Sequence, residues 1–387
     1  MSTPQESLLF RHRLLSPTAG VKVSPLCLGA MTFGNKQSER YGEITKQEAT
    51  EILDTFFEHG GNFIDTANVY QMGQSEEWVG EWMKARDNRD EIILATKYTA
   101  LNYKNGAADT LHIKSNSGGN SVKSMRVSLE ASLKRLQTDY IDLFYVHMWD
   151  FTTTIAEVMH NLNDLAAAGK ILYLGISDCP AWIVSQANQY ARDHGLRQFS
   201  VYQGMWNAAL RDFERDIIPM CRAEGMALAP YGVLGQGRFQ TREGFVEREK
   251  HNPGRKFIPT SELDKKVSAV LESVAAAKGV LLLDVALAYV RSKAPYVFPI
   301  VGGRKVDHIR GSIKALEVAL SEKEVEKIDA AYPFDHGFPH TFLSGTLFDG
   351  STPRAPRGPE DVFMTKTMGT FDWVEQSRPI GLERKRT

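Results

Sequence analysis

Three short apolar runs each close on one polar side chain. NFID ends on Asp65, with Tyr70 a short loop later in DTANVY; IILATK ends on Lys97; YIDLFYVH ends on His147. Each residue has an ordinary explanation on its own. Asp65 can cap a turn, Tyr70 can pack as an aromatic, Lys97 can reach out of a core along its methylenes, and a single histidine is commonly a hydrogen-bonded core residue. Taken together they make chemical sense. A free tyrosine titrates near about 10 and is a poor acid–base group at neutral pH. A cation within ~4–6 Å stabilises the phenolate and lowers that value by roughly 1–3 units. Lys97 can supply the cation, Asp65 can hold Lys97 charged and oriented, and His147 can donate a hydrogen bond to a carbonyl oxygen beside the tyrosine. Such a set protonates an oxygen while hydride arrives at the adjacent carbon.

The elements that must position these groups follow from periodicity. Short apolar runs recur at 26–30, 62–66, 92–97, 141–147, 171–177, 199–203, 227–231 and 297–301, and most are followed by a stretch of helical period. Helices are expected at 46–59, 75–86, 121–136, 154–168, 181–194, 211–224, 262–278, 282–293 and 306–316, with a last one capped by Ser321 and Glu324. Eight strand–helix alternations, with runs apolar on both faces, predict a closed parallel barrel, the (β/α)8 or TIM barrel. An open doubly wound sheet would carry GxGxxG after its first strand, and the turn there is GAMTFG at 29–34. The segment 8–23 predicts an N-terminal β-hairpin around 17–20. Two long segments after strands, 98–120 and 232–261, would lie as large loops at the mouth of the barrel. The expected organisation is a barrel domain over 1–332 and a C-terminal extension over 333–387, which either covers the barrel or trails from it.

Composition narrows the classes. The chain has 387 residues, 46 Lys plus Arg against 47 Asp plus Glu, and 42% hydrophobic residues. That balance argues against a whole-surface nucleic-acid or anionic-membrane binder and supplies ample core. Three separated cysteines, Cys27, Cys179 and Cys221, give neither a disulfide framework nor a metal-ligand spacing. The first residues lack a long apolar run, and the most apolar stretch, 279–290, is far short of the ~20 residues a membrane span needs. A reduced, cytoplasmic compartment is the expectation, with a small molecule rather than nucleic acid or membrane as partner. Oligomeric state is not legible.

At these motifs the chain resembles the aldo-keto reductases. The resemblance is carried by GGNFIDTANVY (60–70), ILATK (93–97), DLFYVH (142–147), GIS (175–177), YQGMWN (202–207) and YGVLGQG (231–237), and it runs from about residue 21 to 320. HMWDFTTTIAEVM, YLGISDCPAW and YVFPIVGGRKVDHI resemble the fungal aryl-alcohol dehydrogenase and norsolorinic acid reductase branch. The resemblance implies NADPH-dependent reduction of an aldehyde or ketone, with Tyr70 as proton donor, Lys97 and Asp65 as its tuners and His147 as substrate orienter. It places Ser177, Asp178 and Gln203 at the nicotinamide carboxamide and Tyr231 on the nicotinamide ring. Gly29, Met31, Thr32 and Asp65 would line the same nucleotide. Gly232, Val233, Leu234, Gly235 and Gly237 would wrap the pyrophosphate, and Gly302, Gly303, Arg304, His308, Arg310 and Ser312 would hold the adenosine end.

The chain departs from the family pattern at Asp178 and Ser312, where Asn is common, and at Gly302, where Pro usually precedes the glycine. NADP is expected over NAD because Arg304, Lys305, His308 and Arg310 cluster where a ribose 2′-phosphate would sit. Cations at a helix start are otherwise not favoured by its dipole. Phe33, Tyr98, Trp149 and Trp206 lie on post-strand segments able to line the mouth beside His147, which suits a flat aromatic carbonyl; Asn102, Asn105 and Gln236 are the polar alternatives there. Two other readings stand beside the reductase: a nicotinamide-binding regulatory subunit with little turnover, and a barrel isomerase or lyase acting on a phosphorylated sugar.

Overall fold

The computed structural model describes residues 7–101, 111–251, 258–374, 376–381 and 383. Two antiparallel strands come first, β1 (Arg13–Ser16) and β2 (Ala19–Val23), paired as a hairpin. Eight parallel strands follow: β3 (Cys27–Gly29), β4 (Phe63–Asp65), β5 (Ile93–Tyr98), β6 (Ile141–Val146), β7 (Ile171–Ser177), β8 (Phe199–Met205), β9 (Ala227–Tyr231) and β10 (Ile300–Val301). Their order is β10-β3-β4-β5-β6-β7-β8-β9. The N–H of Phe298, just before β10, donates to Leu228 O on β9 at 2.8 Å and closes the ring. This is the (β/α)8 barrel with its N-terminal hairpin that the alternation predicts.

The chain divides into two compact units. One comprises the described residues of Met1–Gly204, Glu224–Tyr231 and Phe298–Lys314, and holds the hairpin and the barrel sheet up to Gly204. Side chains that face the interior share a register. Asp65 pairs with Ala95, Lys97 with Tyr145, Tyr145 with Gly175, and Ser177 with Gln203. Gln203 Nε2 then reaches Asp65 Oδ2 at 3.0 Å. Those two strands are four apart, so the bond spans the barrel interior. Period-2 alternation along each strand puts Ala95 and Lys97, or Gly175 and Ser177, on one face, which is how a polar layer sits above an apolar one. The helices start on side-chain caps: Thr45 for Lys46–Glu58, Ser121 for Val122–Leu136 and Thr154 for Ile155–Ala167.

The other unit comprises the described residues of Met205–Ala223, Gly232–Val297 and Ala315–Thr387. Its helices Leu282–Lys293 and Glu322–Ala331 contribute to a buried charge cluster, and Glu262–Lys278 packs against both. Glu214 accepts from Arg211 at 2.7 Å and lies 3.0 Å from Lys293; Asp329 lies 2.8 Å from Lys293 and accepts from the Tyr289 hydroxyl at 2.5 Å. Its segment 211–224 is a 3-10 turn, Asp212–Glu214, and a helix, Ile217–Ala223, rather than one continuous helix. The helix Arg242–His251 lies inside a segment that composition marks as loop, since its apolar content is too low to show a period. Past residue 332 the chain forms short helices, His340–Ser344, Thr346–Asp349 and Phe363–Met368, joined by an aromatic group of Phe342, Phe348 and Phe363. Among the described residues no single helix is long and apolar enough to cross a membrane; Glu262–Lys278 and Leu282–Lys293 reach that length only together, across a 100° bend.

Gly175 is a packing requirement. The Tyr145 ring, fully buried on β6, fills the space a Cβ on Gly175 would need. Gly175→Ala should therefore cost ~1–3 kcal/mol of stability through overpacking, read as a lower urea midpoint with unchanged m-value.

Candidate active site

Every residue of the expected acid–base set belongs to the barrel unit. Asp65 ends β4, Lys97 is the penultimate residue of β5, and His147 follows β6. Tyr70 stands on the turn between β4 and the helix Gln74–Arg86. The Lys97 side chain has no exposed surface, and its ammonium donates to three acceptors: Asp65 Oδ1 at 2.6 Å, Thr66 O at 2.7 Å and Tyr70 OH at 3.3 Å. An ammonium has three donors, so all are used. Gln203 occupies the second oxygen of Asp65. The buried ion pair is thus satisfied on both sides, the condition under which such a pair is tolerated.

The His147 ring meets the Tyr70 ring edge-on, centroids 5.9 Å apart. Its backbone N–H donates to Tyr98 O at 3.2 Å, while ring Nδ1 is buried without a hydrogen-bond partner among the described residues. Burial, helped by Lys97, pushes the imidazole down to about 3. The ring is neutral across the physiological range and offers one N–H without offering a net charge. Tyr70 departs from the sequence expectation. Burial pushes its phenol up to about 12, outweighing the downward pull of Lys97. The tyrosine therefore stays protonated, a phenol held against an ammonium.

Ser177 and Asp178 lie at the end of β7 and Tyr231 at the end of β9. Asp178 adopts a left-handed φ of 45° and accepts from Ser177 Oγ at 3.1 Å and Tyr231 OH at 3.2 Å. As a carboxylate it lacks the amide donor that Asn would bring, and the Ser177 hydroxyl is already turned toward it. After β3, Thr32 Oγ1 donates to Gly303 O at 3.1 Å, and Met31 is partly exposed. A Cβ on Gly302 would stand 2.8 Å from Gly29 O, so the two chain segments touch with no side chain between them. Arg304 lies against Gly42, partly buried, with no hydrogen bond or ion pair to another described residue; its charge and that of Lys305 reach Glu48 only as a longer-range attraction. His308 and Arg310 are exposed, and the Ser312 hydroxyl bonds back to His308 O at 3.0 Å.

The expected residues divide between the two compact units. The loop of Gly232, Val233, Leu234, Gly235 and Gly237 belongs to the second unit; within it Val233 and Gly235 are buried and Gly232 O accepts from Asn207. Trp206, also in that unit, is fully buried and stacked on Phe213. Phe33 and Tyr98 have no exposed surface; Tyr98 stacks on Phe144 and bonds Asn120 O. Trp149 alone among the four aromatics is partly exposed, flanked by exposed Met148 and Phe151. Asn102 and Asn105 lie outside the described residues. Sequence reasoning missed Thr66, whose carbonyl is the third acceptor of Lys97, because a backbone acceptor leaves no mark on residue type.

Over residues 25–333 the sequence matches the Aldo/keto reductase family. The chain belongs to that family and is an oxidoreductase of it. It is 66% identical to norsolorinic acid reductase B of Dothistroma septosporum over 369 residues, covering 95% of this chain and 93% of that protein. It is 52% identical to norsolorinic acid reductase A of Aspergillus parasiticus, covering 97% of this chain and 94% of that protein. It is 49% identical to aryl-alcohol dehydrogenase [NADP(+)] of Phanerodontia chrysosporium, covering 89% and 90%.

The His147 environment has a stability consequence. The folded ring refuses a proton until about pH 3, whereas an unfolded histidine takes one near about 6.5. The unfolded chain then binds more protons, so stability falls as pH drops from about 6.5 toward 3. The His147 ring resonances should stay constant between about pH 5 and 8 in a titration by NMR, and His147→Asn should flatten the acid side of the stability curve.

Proposed function

We propose that this protein reduces an aromatic aldehyde or ketone to the alcohol with NADPH, Tyr70 giving the proton. The observation that carries the reading is the commitment of all three Lys97 protons. Tyr70 OH accepts one of them, so the phenol's own proton is left free for an incoming oxygen. The residues fit a nicotinamide nucleotide: an unpartnered buried nitrogen on His147, and an Arg304 guanidinium with no ion pair to a described residue. NADP(H) supplies the hydride when bound. Ser177 and Gln203 would hold its carboxamide, Tyr231 would lie on the ring, and Arg304 with Lys305, His308 and Arg310 would take the 2′-phosphate.

The chain's own residues do the rest. His147 donates a neutral N–H to the carbonyl oxygen and orients it. Tyr70 passes its proton to that oxygen as negative charge builds there. Lys97, kept charged by Asp65, stabilises the phenolate left behind, a stabilisation larger after the transfer than before it, as catalysis requires. Trp149, Met148 and Phe151, on the segment after β6, support the aromatic class, as do the names of the relatives. An aryl wall contributes ~0.5–1.5 kcal/mol beyond area burial.

Tyr70→Phe should lower reduction of an aryl aldehyde by about 10²–10⁴-fold, the value of a positioned acid, while NADPH still quenches tryptophan fluorescence. Wild-type turnover in that variant, or no turnover by intact, nucleotide-binding protein, overturns the reading. Arg304→Ala should weaken NADPH binding about tenfold or more, as expected for one charge-assisted contact, and leave NADH binding unchanged. Equal affinity of the unmutated protein for the two nucleotides removes the argument from charge.

A further inference from the structure

The turn that carries Tyr70 is held in an unfavourable backbone. Gln71 (φ 51°) and Met72 (φ 57°) are both left-handed, followed by Gly73 (φ 93°). Such conformations persist only where the surroundings over-determine them. Two residues at the start of the helix Gln74–Arg86 do so. Ser75 Oγ donates to Ala30 O at 2.7 Å and lies 2.8 Å from Thr66 Oγ1, which fastens the turn to the ends of β3 and β4. Glu76 fastens the other side. Its carboxylate has no exposed surface; Oε1 accepts from Thr96 Oγ1 at 2.5 Å and Oε2 from Arg135 Nε at 2.7 Å.

The location of these partners is what matters. Thr96 immediately precedes Lys97 on β5, and strand alternation turns its side chain to the face opposite Lys97. Arg135, near the end of Val122–Leu136, lies across Gly73, where a Cβ would stand 3.0 Å from its Cδ. One buried carboxylate therefore links the strand that carries the lysine to the turn that carries the tyrosine. The Lys97–Tyr70 contact, at 3.3 Å, is the longest of the three that the ammonium makes, and so the one most easily lost to a small displacement of the turn.

We propose that Glu76, with Thr96 and Arg135, is a positioning unit that sets the Tyr70–Lys97 distance from behind the active site. The inference rests on Tyr70 being the proton donor.

The test is Thr96→Val, which removes one donor to Glu76 at nearly constant volume and leaves the Arg135 pair, set beside Thr96→Ser, which keeps the hydroxyl. Aryl-aldehyde reduction and NADPH binding are measured at a temperature where every variant is folded. Thr96→Val should lower kcat roughly 10- to 100-fold, the scale of a misplacement of about 1 Å, with KM and the NADPH Kd unchanged, and Thr96→Ser should restore kcat. Unchanged kcat, a loss of kcat that Thr96→Ser does not restore, or an equal worsening of KM and Kd overturns the proposal. Should Thr96→Val not fold, Arg135→Lys, which keeps the cation but loses the Nε bond, is read by the same criteria against wild type. Tyr70→Phe runs in parallel. If that variant keeps wild-type turnover, the proton-donor reading fails; if it is inactive while Thr96→Val is unaffected, only the positioning role fails.

Discussion

A fully desolvated ammonium is the constraint on which the barrel's polar layer depends. Lys97 has given up all its water, which is affordable only because Asp65, the Thr66 carbonyl and Tyr70 take its three protons. Each acceptor fixes something else. Asp65 must then be satisfied at its second oxygen, which brings Gln203 across the interior. Thr66 ties the end of β4 to β5, and Tyr70 must stand where its turn is strained. Remove the ammonium and none of these arrangements has a cause.

The same burial explains why the tyrosine and histidine have separate roles. Desolvation raises the phenol and lowers the imidazole, so both stay uncharged beside a permanent cation. At the level of residue types, Lys97 faces an unperturbed tyrosine and the cation dominates. Burial depth is set by eight strands closing on one another, and no local pattern encodes its magnitude. A phenol near 12 keeps its proton at neutral pH.

What was legible in the sequence was whatever repeats or terminates. The eight apolar runs are visible because interior strands are apolar on both faces, and the residues at their ends stand out because each interrupts such a run. The Ser321 cap with Glu324 was readable because the capping box is a local motif, and both its bonds are present. Less legible was anything that depends on a distant partner. Phe33 and Tyr98 were assigned to the mouth from their position after a strand, yet both are enclosed, Tyr98 by its stack on Phe144. By residue type Glu76 is an acidic residue in the first turn of a helix and nothing more. Only folding shows that it is buried between Thr96 and Arg135, sequence separations of 20 and 59 residues.

Two buried charge clusters among the described residues use their tyrosine hydroxyls in opposite ways. Around Glu214, the groups Arg211, Lys293, Asp329 and Tyr289 form a closed set. Every charge faces an opposite one, and the tyrosine hydroxyl donates its proton to Asp329. That tyrosine has nothing left to give. Around Lys97 the hydroxyl has the opposite role. Tyr70 accepts from the cation and keeps its proton unassigned, and the neighbouring His147 nitrogen is unpaired. An unsatisfied buried donor or acceptor costs about 1–3 kcal/mol, a cost the His147 nitrogen carries in this structure. The two clusters therefore differ in where the tyrosine proton lies: it is given to Asp329 in one and left unassigned in the other.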